Sequence, residues 1–196
     1  MRQFGKLFVN LTAIAVLGIG GGLGSAWYMV EAGSRLTTRS YGPWSTWIAA
    51  GRPDADPYTR ARVARNGLLP IASTLGLTFF AKIDGEGGQL QSACDYTVTV
   101  EGMDGAWWSL AAFDRRGSLI PNAADRYAFS SDTAMREPDG RVVIVVARDA
   151  RAGNWLPIGA GKVTLLLTVQ DAGMAAAVHM GGSVKALPAI RKLGCR

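Results

Sequence analysis

The chain is predicted to be mainly β: an antiparallel β-sandwich of jelly-roll type with one short N-terminal helix, preceded by a single transmembrane helix. Strand-like stretches recur about every ten residues between Gly- and Asp-rich turns, which is typical of sandwiches. One short helical segment precedes these strands, and an uncharged stretch from Leu7 to Val30 precedes that helix. A stretch of roughly 20 apolar or small residues is long enough to cross a bilayer as a helix.

The N-terminal segment, residues 1–30, has two interpretations. As an anchor it spans Leu7 to Val30, which places Trp27 and Tyr28 at the outer interface, where aromatic rings are enriched. As a secretory signal it uses Leu7–Leu17 as its core, with cleavage before Trp27. The anchor is favoured because the apolar stretch continues past this cleavage site. In both cases the basic charges before the stretch predict a cytoplasmic N-terminus and an exported body.

Glycines spaced four residues apart in the same segment indicate a helix-packing face. They are Gly18 with Gly22, and Gly20 with Gly24. Glycine lets two helix backbones approach closely, so the expected partners are the lipid bilayer and either another membrane helix or a second copy of the chain. The alternative is a loose helix or the break of a signal peptide. The predicted location is the bacterial inner membrane, crossed once, with the body in the periplasm.

The composition describes a folded body and limits its partners. The chain of 196 residues is 48% hydrophobic and 18% charged, which suits one domain after the anchor. We divide this part into a connector, residues 31–55, and a periplasmic β-sandwich domain, residues 56–196. The net charge is +6, but the basic residues are scattered and do not form the dense stripe of a nucleic-acid surface. We therefore expect no nucleic-acid partner. The charge is favoured as a contribution to solubility, and the alternative is attraction to anionic lipid head groups or cell-wall polymers.

Local patterns predict the elements of the domain. Asp56 followed by Pro57 predicts a helix start, because Asp caps helices and Pro suits the first turn. This helix would end near Asn66. The predicted strands cover residues 74–83, 94–101, 107–113, 142–147 and 162–170, with short extended pieces at 119–122 and 127–129. The tail, residues 178–196, is ambiguous.

Cys94 and Cys195 have two interpretations. In an oxidising compartment an even number of cysteines indicates a disulfide, which here would join a mid-chain strand to the C-terminus. Closing a loop of about 100 residues would stabilise the fold by roughly 4–5 kcal/mol in the chain-entropy model. The alternative is two unpaired thiols. The sequence contains no C-x-x-C motif, so redox and zinc motifs are unsupported.

The sequence contains few groups that are suited to catalysis. His179 is the only histidine, and a surface or structural role is favoured over a catalytic one. Histidine-based metal centres and nucleophile–histidine sites therefore lack support. We predict no catalytic residue, no metal site and no cofactor.

A glycoside hydrolase remains an alternative, because that chemistry needs only two carboxyl groups. The candidates are Asp54, Asp56, Asp84, Glu86, Asp114, Asp125 and Asp139. Most of them lie in predicted turns, where Asp usually bonds to its own backbone. Trp107 and Trp108 are adjacent in a strand, so one should face the core while the other faces out and is available to stack on a sugar.

Several short motifs follow one another in a specific order. They are Asp56-Pro57-Tyr58-Thr59-Arg60-Ala61, Trp108-Ser109-Leu110, Leu119-Ile120-Pro121-Asn122, Asp139-Gly140 and Gly153-Asn154-Trp155-Leu156-Pro157. Together they resemble the bacterial domain-of-unknown-function family 1214, over residues 55–170 of this chain. The resemblance implies a β-sandwich of jelly-roll type. It supplies no established activity.

Four residues in or next to these motifs are the candidate binding residues: Asn122, Arg126, Asn154 and Trp155. Such groups either line a groove or bond to loop backbones, and the second role is favoured; Arg126 is expected to pair with Asp114. The sequence therefore predicts a membrane-anchored domain that binds an envelope component, either a polysaccharide or a protein. The alternatives are a carbohydrate-active enzyme with a carboxylate pair and a subunit of a larger membrane assembly.

Overall fold

The described residues form ten strands and three helices. The computed structural model describes residues 2–103, 106–182, 184 and 187–196, with side chains from residue 5 onward. In chain order these parts contain α1 (Arg2–Glu31), β1 (Thr38–Tyr41), β2 (Trp44–Trp47), α2 (Pro57–Arg65), β3 (Leu77–Ala81), β4 (Cys94–Val100), β5 (Trp107–Phe113), β6 (Ala128–Ser130), β7 (Val142–Ala147), β8 (Asn154–Pro157), β9 (Thr164–Gln170), α3 (Ala172–His179) and β10 (Ala189–Cys195).

The strands form two sheets. The six-stranded sheet has the order β1-β2-β3-β9-β5-β6, and the four-stranded sheet has the order β10-β4-β7-β8. All the paired strands are antiparallel except β7 and β8, which are parallel. The prediction of a mainly β chain is confirmed, but a purely antiparallel arrangement is wrong at this pair. Alternation along a strand sets which face is buried and does not set the direction of its neighbour.

The inner faces of the two sheets share one hydrophobic core. Phe79, Leu110 and Leu167 come from the six-stranded sheet, while Val98 and Ile144 come from the four-stranded sheet, and all five are fully buried. Successive side chains of a strand point to opposite faces, which explains the alternation of buried and half-buried residues in β3, β4 and β9. The opposite face of each sheet is left for solvent or for a partner.

Helix α1 is long and apolar enough to span a membrane. Within its segment from Gly5 to Glu31, a window of 18 residues has a mean hydropathy of 1.8, and none of that window is buried inside the protein. At its C-terminal end, Glu31 contacts α2. Arg62 donates a hydrogen bond of 2.7 Å to the carbonyl of Glu31, and Arg65 lies 3.5 Å from its carboxylate. These contacts join the end of α1 to the β-rich part of the chain.

The sequence assigns residues 31–55 to a connector, but the structure has a β-hairpin there. Thr38 pairs with Trp47 and Tyr41 with Trp44, and β2 continues the sheet by pairing with β3. The two-residue loop begins with a glycine whose φ of +58° suits a tight hairpin turn. The Gly-Pro pair that interrupts the local pattern therefore makes the turn. Both tryptophans are buried against the domain.

Helix α2 and the long strands lie where the sequence predicts them. Asp56 accepts hydrogen bonds of 3.0 Å from the backbone N–H groups of Tyr58 and Thr59, and the helix ends at Arg65. Gly67 follows with a φ of +59°, a conformation that glycine adopts readily at a helix end. Strands β5 and β7 have the predicted bounds. Strands β3, β4 and β9 are a few residues shorter than predicted.

The ambiguous C-terminal tail contributes β10, which follows α3. Strand β10 pairs with β4, and this register places Cys195 opposite Cys94. The two sulfurs form a disulfide with an S–S distance of 2.00 Å. Of the two interpretations of the cysteines, the structure therefore has the bonded pair. A disulfide of this kind indicates an oxidising compartment.

Candidate functional site

Asn154 and Trp155, two of the predicted binding residues, are bonded to neighbouring backbone. Asn154 is 5% exposed; it accepts a hydrogen bond from Met135 N–H and donates to the carbonyl oxygens of Met135 and Val143. The indole N–H of Trp155 donates to the carbonyl of Ala147 at 3.0 Å. These bonds hold β8 beside β7 and tie both strands to the segment before β7.

Asn122 and Arg126 belong to the same network. Asn122 accepts a hydrogen bond of 3.0 Å from Arg126 N–H and donates to the carbonyl of Arg126 at 2.9 Å. The guanidinium of Arg126 donates to the carbonyl of Trp155 at 3.2 Å, and its Cζ lies 5.4 Å from the centre of the Phe129 ring. The structure thus brings the four residues together, with their polar groups directed at backbone. Their binding role stays a prediction.

The expected pair between Arg126 and Asp114 is wrong. Asp114 Oδ1 instead accepts hydrogen bonds from the backbone N–H groups of Arg116 and Ser118, at 2.8 and 2.9 Å. Asp114 thereby closes the turn after β5, which is the usual behaviour of Asp in a turn. The guanidinium of Arg126 lies over Phe129 because that ring offers a half-buried cation a favourable face.

Three of the carboxylates proposed for sugar chemistry, Asp54, Asp84 and Asp139, have other partners. A hydrogen bond from Arg52 holds the pKa of Asp54 below its ordinary value, and the backbone N–H and guanidinium of Arg141 do the same for Asp139. Asp84 is buried and accepts hydrogen bonds from backbone N–H groups of its own turn. A general acid needs a raised pKa, so these lowered values do not favour acid catalysis.

The two adjacent tryptophans of β5 and the single histidine were also noted in the sequence. Trp108 is 1% exposed and Trp107 is 38% exposed, as the alternation predicts, and the Trp107 indole donates to Asp132 at 2.9 Å. His179 Nε2 lies 3.1 Å from the carbonyl of Ser73, which is a structural contact. In the part of the chain that the structure describes, no group of three or more His, Cys, Asp or Glu side chains is arranged to hold a metal ion.

The glycines of α1 have open space around them. No heavy atom of the described chain, apart from the helix backbone and adjacent residues, lies within 4 Å of where a Cβ would stand at Gly18, Gly20, Gly22 or Gly24. The Gly18–Gly22 pair and the Gly20–Gly24 pair, which lie on different sides of the helix, are therefore each accessible to another helix. Helix pairing itself stays a prediction.

A different feature, which the sequence did not single out, is a groove on the outer face of the six-stranded sheet. It has a volume of about 500 Å³, and we call it the outer groove. Its floor contains cross-strand neighbours: Phe80 lies beside Leu166, and Phe113 lies beside Thr164. Trp47 completes the floor toward β1 and β2. Grooves of this volume with apolar linings are typical of ligand sites.

The walls of the outer groove come from two separate parts of the chain. On one side lie Glu31 and Ala32, at the end of α1, together with Arg62 and Leu68. On the other side lies the turn after β5, residues 114–117. The groove is therefore built partly from the sheet and partly from the segment that connects the sheet to the apolar helix.

Positive charge dominates the rim of the outer groove. Lys82, Arg115 and Arg116 are exposed, and among the described residues none of the three has an ion-pair partner. Arg62 is deeper: its Cζ lies 5.6 Å from the centre of the Trp47 ring. Burial lowers the pKa of the Arg62 guanidinium from its ordinary value, although Glu31 acts in the opposite direction. A desolvated cation with exposed cations nearby is suited to holding an anion.

Comparisons with known proteins identify the family. The model of the DUF1214 family, described as a protein of unknown function, matches residues 76–173. The chain belongs to the DUF1214 family. The matched region includes Phe80, Phe113 and Leu166 on the floor of the outer groove, whereas the wall formed by α2 and the end of α1 lies before it. No curated protein matches the chain.

Two solved structures are similar to this member of the DUF1214 family. The crystal structure of the VPA0106 protein from Vibrio parahaemolyticus has a TM-score of 0.57 and 17% identity, and the match covers 93% of this chain and 45% of that one. An uncharacterised protein from Burkholderia cenocepacia has a TM-score of 0.42 and 19% identity, over 62% of this chain and 30% of that one. The chain thus spans less than half of either protein. The similarity to the VPA0106 protein shows the fold alone.

The floor of the outer groove could have been found from the sequence. Phe79-Phe80 and Leu165-Leu166-Leu167 place apolar side chains on both faces of an antiparallel strand. A strand with one solvated face would alternate apolar and polar residues. These two interruptions of the alternation indicate a covered outer face. The cover comes from distant segments, which the pattern does not identify.

Proposed function

We propose that this chain is a membrane-anchored binding domain, with α1 spanning a bacterial inner membrane once and the remainder in the periplasm as a β-sandwich of jelly-roll type. The domain binds a component of the cell envelope in the outer groove. The support for the anchor is the length and hydropathy of α1. The basic residues before the apolar stretch support the orientation, and the disulfide between Cys94 and Cys195 supports an exported body.

The single observation that carries the binding proposal is where the outer groove lies. It is lined by Glu31 and Ala32, so it opens next to the point where α1 ends. The ion contacts of Glu31 with Arg62 and Arg65 hold the domain against this helix end. A groove in this place faces molecules that are part of the membrane or lie against it.

Binding is favoured over catalysis because the groove lacks a pair of suitable carboxyl groups. Of the acidic residues that line it, Glu31 contacts two arginines and Asp114 accepts hydrogen bonds from its own turn. A glycosidase needs one carboxyl group with a raised pKa opposite a second one that is free to react. A carbohydrate-active enzyme therefore remains the weaker candidate.

A subunit of a larger membrane assembly is a second candidate, favoured by the open space around the glycines of α1. Leucine at Gly20 and Gly24 would fill the closest approach between two helices. If the chain associates through this face, the double variant Gly20→Leu/Gly24→Leu should lose its co-purifying membrane partner. Retention of that partner would contradict helix pairing at this face.

The test of the binding proposal is photo-crosslinking in cells that make the full-length chain. p-Benzoyl-phenylalanine replaces Phe80 on the floor of the outer groove or, as the control, Thr97 on the outer face of the four-stranded sheet. We expect illumination to give a discrete adduct at position 80 and none at position 97, with mass spectrometry identifying the chemical class of the adduct. The absence of an adduct at position 80, or equal adducts at both positions, would contradict binding in the outer groove.

A further inference from the structure

We propose that the outer groove takes an anionic amphiphile from the adjacent membrane leaflet: a lipid whose tail lies along the apolar floor and whose phosphate or carboxylate head group lies at the basic rim. This inference rests on the proposed function, because it names the ligand class of the same groove. The proposal follows from the shape of the floor, the charge of the rim and the position of the opening.

The floor fits an extended apolar chain. In the sheet, Ser45 pairs with Phe80, Phe80 with Leu166, and Leu166 with Ala111. Four neighbouring strands span about 14 Å at the usual strand spacing. Phe80 and Leu166 remain only partly buried, and Phe113 extends the apolar surface toward the turn after β5. Hydroxyl groups of Ser45 and Thr164 lie beside this strip, but its apolar surface is continuous enough to suit a hydrocarbon tail.

The rim fits an anionic head group. Lys82, Arg115 and Arg116 line the groove, and within the described residues none of them is in an ion pair. Arg115 and Arg116 lie in the turn that Asp114 closes, so the backbone there is held while both guanidinium groups remain exposed. Arginine can donate two parallel hydrogen bonds to a phosphate or carboxylate. A zwitterionic or neutral head group would gain less from this cluster.

The position of the opening identifies the source of the ligand. Ala32 follows directly on α1 and lines the groove, as does Leu68 after α2. Two strongly exposed leucines lie close to these residues in sequence: Leu36 is 88% exposed and Leu69 is 96% exposed. Apolar side chains at such exposure are suited to the interfacial region of a bilayer. A lipid could therefore pass from the leaflet into the groove with its tail shielded from water.

The test uses the full-length protein in nanodiscs that carry a photoreactive lipid with a diazirine in its acyl chain. One preparation contains photoreactive phosphatidylglycerol and the other contains photoreactive phosphatidylcholine, in the same unlabelled background. We expect peptides that contain Phe80 and Leu166 to be labelled about tenfold more by the anionic lipid, and α1 to be labelled equally by both. Labelling confined to α1, or equal labelling of the groove by both lipids, would overturn the proposal.

Matched charge variants separate the rim from general attraction to the membrane. In Arg115→Gln/Arg116→Gln, groove labelling by phosphatidylglycerol should fall to the level of phosphatidylcholine while labelling of α1 is unchanged. The control Arg148→Gln/Lys192→Gln removes the same charge from exposed positions of the four-stranded sheet and should retain groove labelling. Equal labelling of both variants would contradict the role of the rim. If the cellular adduct at position 80 is instead a glycan or a protein, the outer groove still binds an envelope component, and only the lipid inference fails.

Discussion

The four-stranded sheet and the outer face of the six-stranded sheet differ in what lies on them: links between chain segments on the first, and an open groove on the second. The four-stranded sheet is fixed at one edge by the disulfide between β10 and β4, and at the other by the bonds of Asn154 on β8. The ion pairs of Asp95 with Arg151 and of Asp149 with Arg196 cross its surface. The outer groove instead has an apolar floor and three cations without ion partners among the described residues.

This difference separates residues that specify the fold from residues that are available to a ligand. Asn122, Arg126, Asn154 and Trp155 attract attention in the sequence because they are polar or aromatic residues in ordered motifs. Their polar groups are satisfied by backbone, and a satisfied group has little to offer a partner. The outer groove, where an apolar floor lies beside cations without ion partners among the described residues, is therefore a better candidate than these four residues.

The largest expected effect comes from the disulfide. Because it joins residues 101 apart, Cys94→Ser/Cys195→Ser should lower the free energy of unfolding by about 4–5 kcal/mol in the chain-entropy model. Denaturant unfolding of the full chain in detergent would measure this, with the wild type under reducing conditions as the comparison. A loss below about 1 kcal/mol would mean that the register of β10 and β4 is held by other contacts.

The next largest effect is expected at Asn154. Asn154→Ala leaves the backbone groups of Met135 and Val143 without their partner in a buried place, which should cost about 2–3 kcal/mol. The measurement is the same unfolding experiment, followed by photo-crosslinking at position 80. Unchanged stability with lost crosslinking would contradict the structural role and favour direct binding by this residue.

A smaller effect is expected at Arg126. Arg126→Ala removes one charge-assisted hydrogen bond to Trp155 and the contact with Phe129, so stability should fall by about 1–2 kcal/mol. Asp114→Ala serves as the control, because the sequence predicted an ion pair between Asp114 and Arg126 that the structure does not have. If Arg126 acts through Trp155 and Phe129, the effects of the two substitutions should add. If Arg126→Ala melts at the same temperature as the wild type but loses photo-crosslinking at position 80, the structural role of Arg126 would be contradicted.

Asp56 caps α2, the helix that contributes Arg62 to the wall of the outer groove. Its contribution to the free energy of unfolding should depend on pH. Burial raises the pKa of Asp56, but hydrogen bonds from Thr59 and Tyr58 outweigh it, so the pKa lies below its ordinary value. The capping contribution of about 1 kcal/mol is therefore complete above the unfolded-state pKa of about 4 and is lost as the pH falls through the lower folded-state value. Asp56→Ala should lose this contribution at neutral pH.

Asp56→Asn is the matched control, because Asn caps a helix without a charge. Its stability should not show this acid-dependent loss. A parallel acid-dependent loss in the wild type and in Asp56→Asn would show that the titrating group lies elsewhere.

The smallest effect on stability is expected at the rim. Arg115→Gln/Arg116→Gln removes two exposed charges without ion partners in the described chain, so the free energy of unfolding should change by less than about 0.5 kcal/mol. The same variant should lose groove labelling by anionic lipid. A large loss of stability would mean that Arg115 and Arg116 stabilise the fold and are not free to bind a ligand.

The sequence by itself determined the features that depend on neighbours along the chain. The apolar length of α1, the cap of α2 at Asp56, and the alternation in β4 all arise from local geometry. The hairpin within residues 31–55 was missed because its Gly-Pro turn interrupts the pattern and its partner β3 lies about 30 residues further on. The parallel pairing of β7 and β8 was missed because alternation along a strand does not set the direction of its neighbour.

Only the tertiary structure decided which surfaces are covered and which charges are paired. Phe80 and Leu166 interrupt the alternation of their strands, but the walls that turn them into a groove come from α1, α2 and the turn after β5. Asn154 and Arg126 are polar in the sequence, yet only the packing of distant strands shows that their partners are backbone groups. Hydrophobic patterning acts between neighbours along the chain, whereas the pairing of charges and the closing of a groove depend on segments that folding alone brings together.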